Sequence, residues 1–85
     1  MAKYLVQLSR KAQKQLDKLP DSMADPILRA ISALENDPRP PGSKKLKGRS
    51  GHRIRIGNYR VIYEVVDTLL IVEVITLGHR KDIYE

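Results

Sequence analysis

Apolar residues recur along the chain with two different periods, and the change from one to the other sets the expected architecture. Tyr4, Val6 and Leu8 alternate with Leu5 and Gln7, a short apolar-rich run that predicts a first strand ending at Ser9. Residues 10–19, RKAQKQLDKL, place Ala12, Leu16 and Leu19 at helical spacing, with Ser9 as cap and Pro20 as stop. Met23, Ile27, Leu28, Ile31 and Leu34 then form an apolar stripe at three- and four-residue steps, which predicts a second helix. Its start has two solutions. Asp21 or Ser22 as cap leaves Pro26 just past the first turn, where a hydrogen bond is lost; Asp25 as cap puts Pro26 at the first helical position, where proline fits well. In both, the two helices make a hairpin. Residues 36–51, NDPRPPGSKKLKGRSG, predict a loop. From His52 onward the period becomes two: HRIRI, YRVIYEVV and LLIVEVITL, separated by Gly57-Asn58 and Asp67-Thr68. Both separators are expected as two-residue turns, and glycine first suits type II′. The order βααβββ describes an α+β fold, a two-helix hairpin packed on one face of a small, mainly antiparallel four-stranded sheet.

Length narrows this further. A chain of 85 residues buries only about 60–65% of its unfolded surface, so residues 1–85 are expected to form a single domain. Without Phe, Trp or Cys, the core must come from Leu, Ile, Val and the rings of Tyr4, Tyr59, Tyr63 and Tyr84, and disulfides and cysteine-based zinc sites are excluded. MAKYLVQLS lacks the apolar run and cleavage site of a secretory signal, and Leu69 to Val72 is too short to span a bilayer. The expected setting is a reducing cytoplasm, with no membrane partner.

Charge changes the picture more. Sixteen Lys and Arg against ten Asp and Glu give a net +6. Between Pro38 and Tyr63 there is no acidic residue, while Arg39, Lys44, Lys45, Lys47, Arg49, Arg53, Arg55 and Arg60 all fall there. Charge that serves only solubility is usually mixed in sign, so this asymmetry points to a polyanion.

A two-residue turn at Gly57-Asn58 sets Ile56 opposite Tyr59, Arg55 opposite Arg60, Ile54 opposite Val61 and Arg53 opposite Ile62. Ile54, Ile56, Tyr59, Val61, Tyr63 and Val65 then share the face covered by the helices. Arg53, Arg55, Arg60, Ile62 and Glu64 share the other. On that open face Arg55 and Arg60 are direct neighbours, with Cβ atoms about 5 Å apart, an arrangement that destabilises a hairpin. Glu64, diagonal to Arg53, and Glu73, expected opposite Ile62, are the acids available to form a charge ladder, and two acids cannot satisfy the whole cluster. A phosphate between the two arginines would make their proximity favourable, because guanidinium donors match phosphate oxygens and clustered cations stabilise a phosphorus undergoing substitution.

The segment LGHRKDIYE adds His79, Arg80 and Lys81 directly after Gly78, with Tyr84 close behind. His79 is a candidate for proton transfer, its ordinary pKa of about 6.5 lying near operating pH. Tyr84 is suited either to stack on a base or hydrogen-bond a phosphate, or to pack the chain end against the sheet. His52 and His79, without acids at ligand spacing, make no metal site.

LKGRSGHRIRIGNYRVIYEV followed by GHRKDIY resembles the RelE-type toxins of toxin–antitoxin pairs, within the RelE/ParE superfamily. The resemblance covers nearly the whole chain, and its specificity lies in the combination of elements. It implies a toxin that enters the ribosomal A site and cuts messenger RNA there, without metal or cofactor. The 2′-hydroxyl of a nucleotide attacks the adjacent phosphodiester, leaving a 2′,3′-cyclic phosphate and a 5′-hydroxyl. Position by position, it implies catalytic roles for Arg53 and Arg55 on the first hairpin strand, Arg60 after the turn, Arg80 beyond the last strand and Tyr84. His79 joins them as a candidate base, and Lys44, Lys45, Lys47 and Arg49 are expected to hold RNA. The best-studied relatives carry lysines where this chain has Arg53 and Arg55, and arginine, always protonated, is a poor general base. The implied partners are a cognate antitoxin with carboxylates opposite Arg53, Arg55 and Arg60, the ribosome and its message, and operator DNA reached through the antitoxin. Two alternatives stand beside this: a ParE-like inhibitor of DNA gyrase on the same fold, and a non-catalytic nucleic-acid-binding co-repressor.

Overall fold

The structure, a computed structural model, describes residues 3–83. Its elements are β1 (Leu5–Leu8), α1 (Arg10–Asp17), α2 (Asp21–Ala33), β2 (Lys44–Lys45), β3 (His52–Ile56), β4 (Tyr59–Val66) and β5 (Ile71–His79). They build the expected α+β architecture, with a correction: the sheet has five strands, in the order β1-β5-β4-β3-β2. The added strand, β2, is two lysines of the loop paired antiparallel with β3, too short to leave a periodic trace. β1 runs parallel to β5, and the other pairings are antiparallel.

Helix α1 starts as the sequence predicts, with the Ser9 hydroxyl oxygen accepting from the Ala12 N–H at 3.0 Å. Helix α2 starts at Asp21 with Pro20 as cap and no side-chain capping bond, so Pro26 lies inside the helix. The helices and the inner face of the sheet enclose one core, in which Ala12, Leu16, Ile27, Ile31 and Leu34 meet Ile54, Val61, Tyr63, Val72, Val74 and Leu77. Burial of this apolar surface is the principal source of stability. Among the described residues no helix is long and apolar enough to cross a membrane.

The β3–β4 register is the predicted one, residue for residue, and Gly57 opens the turn at φ 59°. The β4–β5 register differs. The turn spans four residues, Asp67 to Leu70, with Leu70 in the left-handed region at φ 54°. Ile62 pairs with Thr76 and Tyr63 with Val74, which leaves Ile75 as a bulge in β5. Glu73 therefore faces Glu64, not Ile62 as expected. Helix α1 holds the bulge in place. The Ser9 hydroxyl donates to the Ile75 carbonyl at 2.7 Å, and Gln15 Oε1 accepts from the Leu77 N–H at 2.9 Å and the Thr76 hydroxyl at 3.0 Å.

Candidate functional site

The sheet face away from the helices is divided by charge. At the hairpin end Arg55 stands opposite Arg60, and one strand outward Lys44 stands opposite Arg53, two like-charge pairs side by side. Further along, Glu64 stands opposite Glu73, a like-charge pair of opposite sign. The Ser50 hydroxyl donates to Glu64 at 2.6 Å.

Lys44, Lys45, Lys47, Arg53 and Arg55 line one open groove of about 370 Å³. Among the described residues, Lys44, Lys45, Lys47 and Arg55 have no carboxylate within ion-pair distance. Arg53 departs from expectation. It is only 4% exposed and forms a wall of the groove instead of projecting from the face. The lysine loop folds back beside it as β2, with Lys44 opposite Arg53. That loop is fastened by Leu46, whose N–H donates to the Gly51 carbonyl at 3.1 Å. Gly51 adopts φ 114°, and a Cβ there would lie 3.1 Å from the Tyr63 carbonyl oxygen, so glycine is required on both counts. Arg49 is exposed on the same loop and does not line the groove.

Three apolar residues make a small second core on this face: Leu46 from the loop, Ile62 from β4 and Ile83 from the chain end. Ile62, on the face expected to be open, is 1% exposed. Leu46 and Ile83 were missed as structural anchors. Their signal was a lone apolar residue inside a charged run, KKLKG in one case and RKDIYE in the other. Arg60 Nη1 donates to the Ile83 carbonyl at 3.4 Å, and the Arg80 N–H donates to the Asn58 carbonyl at 2.7 Å, which sets Arg80 beside the hairpin turn. Arg55, Arg60 and Arg80 are thus gathered at one end of the sheet. Tyr84 lies outside the described residues.

His79 faces the helices because of the bulge in β5. It pairs with Tyr59 and packs edge-on against its ring, centroids 5.7 Å apart, on the helix face of the sheet. There it lines a cavity with Lys11, Gln15 and Lys18, which Gly78, Asp82 and Ile83 also line at the end of the sheet. Its Nδ1 accepts from the Lys81 N–H at 3.2 Å, a bond that uses the lone pair a base would need. His52 stacks on Tyr63, centroids 5.8 Å apart, and its pKa is lowered by burial and then by the Arg39 and Lys45 charges. The fold is tied at the opposite end of the sheet by Asp67, whose carboxylate accepts from Arg39 at 2.8 and 3.2 Å and from the Tyr4 hydroxyl at 2.7 Å.

Residues 6–84 match the family described as the ParE toxin of the type II toxin-antitoxin system parDE. No curated protein sequence matches the chain. Among solved structures, the archaeal RelE–RelB complex from Pyrococcus horikoshii OT3 is 30% identical, covers 92% of this chain and 96% of that one, and superposes with a TM-score of 0.82. The toxin–antitoxin complex RelBE2 from Mycobacterium tuberculosis is 26% identical over 94% of both chains, TM-score 0.81. The isolated E. coli RelE toxin is 25% identical over 89% of this chain and 83% of that one, TM-score 0.79. A fold of two helices on a five-stranded sheet, a clustered set of cations on its far face and a family match over almost the full length agree: the chain belongs to the RelE/ParE superfamily of type II toxin–antitoxin toxins.

Proposed function

We propose that the chain is a ribosome-dependent endoribonuclease that cuts messenger RNA in the A site and is silenced by a cognate antitoxin. The observation that carries this is the gathering of Lys44, Lys45, Lys47, Arg53 and Arg55 around one groove, with Arg60 and Arg80 at its hairpin end. Packing like charges together opposes folding, and a polyanion laid in the groove reverses the sign of that term. In the reaction, the 2′-oxygen bonds to the adjacent phosphorus, the bond to the 5′-oxygen breaks, and the leaving oxygen takes a proton. Arg55, Arg60 and Arg80 stabilise the added negative charge on the phosphoryl oxygens. Lys44, Lys45, Lys47 and Arg49 hold the flanking backbone, and Arg53 supports the groove wall. His79 packs against Tyr59 on the helix face, and the 2′-proton is assigned to Tyr84, which the RelE resemblance puts among the catalytic residues. The ribosome supplies the reactive alignment of the message. The relatives solved as toxin–antitoxin complexes support a protein guardian, and the charge of this face calls for carboxylates on it.

Mapping of message ends in a translation extract, with and without the protein, tests this. New 5′-hydroxyl ends within ribosome-bound codons are expected, and little cleavage of free RNA. Intact messages, or vigorous degradation of naked RNA, overturn it. A second reading, inhibition of DNA gyrase, is favoured by the ParE family match. Loss of supercoiling activity in a purified gyrase assay, with messages left whole, would select it.

A further inference from the structure

We propose that Ile83 is a positioning residue of the cationic face, holding the lysine loop and Arg60 in a fixed relation; this rests on that face being the phosphate-binding one. After β5 the chain turns back. The Asp82 N–H donates to the His79 carbonyl at 2.8 Å, and Arg80 is hydrogen-bonded to the hairpin turn. This return carries Ile83 onto the far side of the sheet, where its side chain meets Leu46 and Ile62 and its carbonyl accepts from Arg60. One residue therefore touches both halves of the cation cluster: through Leu46 the loop bearing Lys44, Lys45 and Lys47, and through its carbonyl the guanidinium of Arg60.

Gly78 makes the seat. Its φ is not in the left-handed region, so the backbone there would accept any residue. A Cβ, however, would lie 3.1 Å from Ile83 Cδ1 and 3.2 Å from Cγ1. Gly78 also stands directly opposite Arg60, so the space left by its missing side chain is the space beside that arginine. The main core lies on the other face and contains none of Leu46, Ile62 or Ile83, so loosening this cluster should disturb the cations before it disturbs the fold.

The test uses the full chain, a twelve-nucleotide single-stranded RNA as probe, and the variants Ile83→Ala, Gly78→Ala, their double mutant and Ile83→Val. Ile83→Ala and Gly78→Ala are each expected to weaken RNA binding about fivefold or more and to lower the salt slope by about one, because fewer phosphates are met. The double mutant should be no weaker than Ile83→Ala alone, since both changes remove one contact. Ile83→Val should restore most of the affinity. Amide exchange at Lys45 to Lys47 should quicken in Ile83→Ala while α1 and α2 keep their protection. Unchanged exchange in the lysine loop, additive losses in the double mutant, or loss of binding only in step with global unfolding would each overturn the role. If the wild-type protein leaves messages whole while the variants show these shifts, the nuclease reading falls and the role of Ile83 stands; cleavage by wild type without shifts in the variants does the reverse.

Discussion

Arg55 and Arg60 face each other across the β3–β4 hairpin, two guanidinium groups on one side of the sheet with no residue between their strands. Such a pair works against the fold and for an anion, and the two effects separate on mutation. Arg55→Ala should stabilise the free protein by about 0.5 kcal/mol, or about 3 °C in Tm for a domain of this size. The same variant should lose at least about tenfold in message cleavage, because a charge opposite the developing phosphorane is gone. Thermal unfolding and end mapping on one preparation check both signs.

Arg60→Ala and His79→Ala should differ sharply. Arg60 stands within the cation cluster, so its loss should lower cleavage by about a hundredfold or more. His79 lies on the helix face against Tyr59, and its replacement should leave the cleavage rate within about twofold. Single-turnover cleavage on programmed ribosomes measures the two side by side.

The Asp67 tie carries a pH signature. The Arg39 guanidinium first, and the Tyr4 hydroxyl next, hold the Asp67 carboxyl at about 2, below its ordinary 3.8. A depressed value means that the carboxylate favours the folded state fully above about pH 4, and that the contribution disappears as pH falls through about 2. Asp67→Asn should therefore unfold at lower urea than wild type near neutral pH, with the gap closing between about pH 4 and pH 2. The pair is exposed, so added salt should narrow the gap at any pH.

Tyr63 gives a prediction inside the core. Its ring is fully buried, and its hydroxyl donates to the Pro38 carbonyl at 2.7 Å, fastening the start of the proline loop to β4. Tyr63→Phe leaves that carbonyl without its donor and should cost about 1–2 kcal/mol in chemical denaturation. The ring still fills its volume, so the fold should persist while the loop between Pro38 and Ser43 exchanges its amides faster.

The hairpin was legible because everything it needs is local. Gly57 fixes the turn, alternation fixes the faces, and the Arg55–Arg60 pair follows. β5 was not, because its register depends on contacts from far along the chain. Nothing between Val66 and Ile71 announces a four-residue turn with a leucine in the left-handed region. The bulge at Ile75 is held by Ser9 and Gln15, more than fifty residues earlier. With a straight β5, Glu73 and His79 would lie on the same face by alternation; the bulge turns His79 to the other side, away from the arginines it was expected to join. The Lys44–Arg53 pairing was not foreseen for a related reason, since it is made by a two-residue strand too short to show a period. The anchoring leucine and isoleucine were visible only as isolated apolar letters, which periodicity does not register.

That single additional residue in β5 acts on the molecule as a frameshift acts on a message. Were Ile75 paired with Ile62 instead of bulged, counting on from Tyr63 and Val74 would bring Leu77 opposite Arg60, and a leucine there would fill the berth that Gly78 leaves vacant. The returning chain would then have nowhere to land. The hydroxyl that caps α1, by pinning the bulge from beneath, thus selects from the far side of the sheet which residue lies next to the arginines.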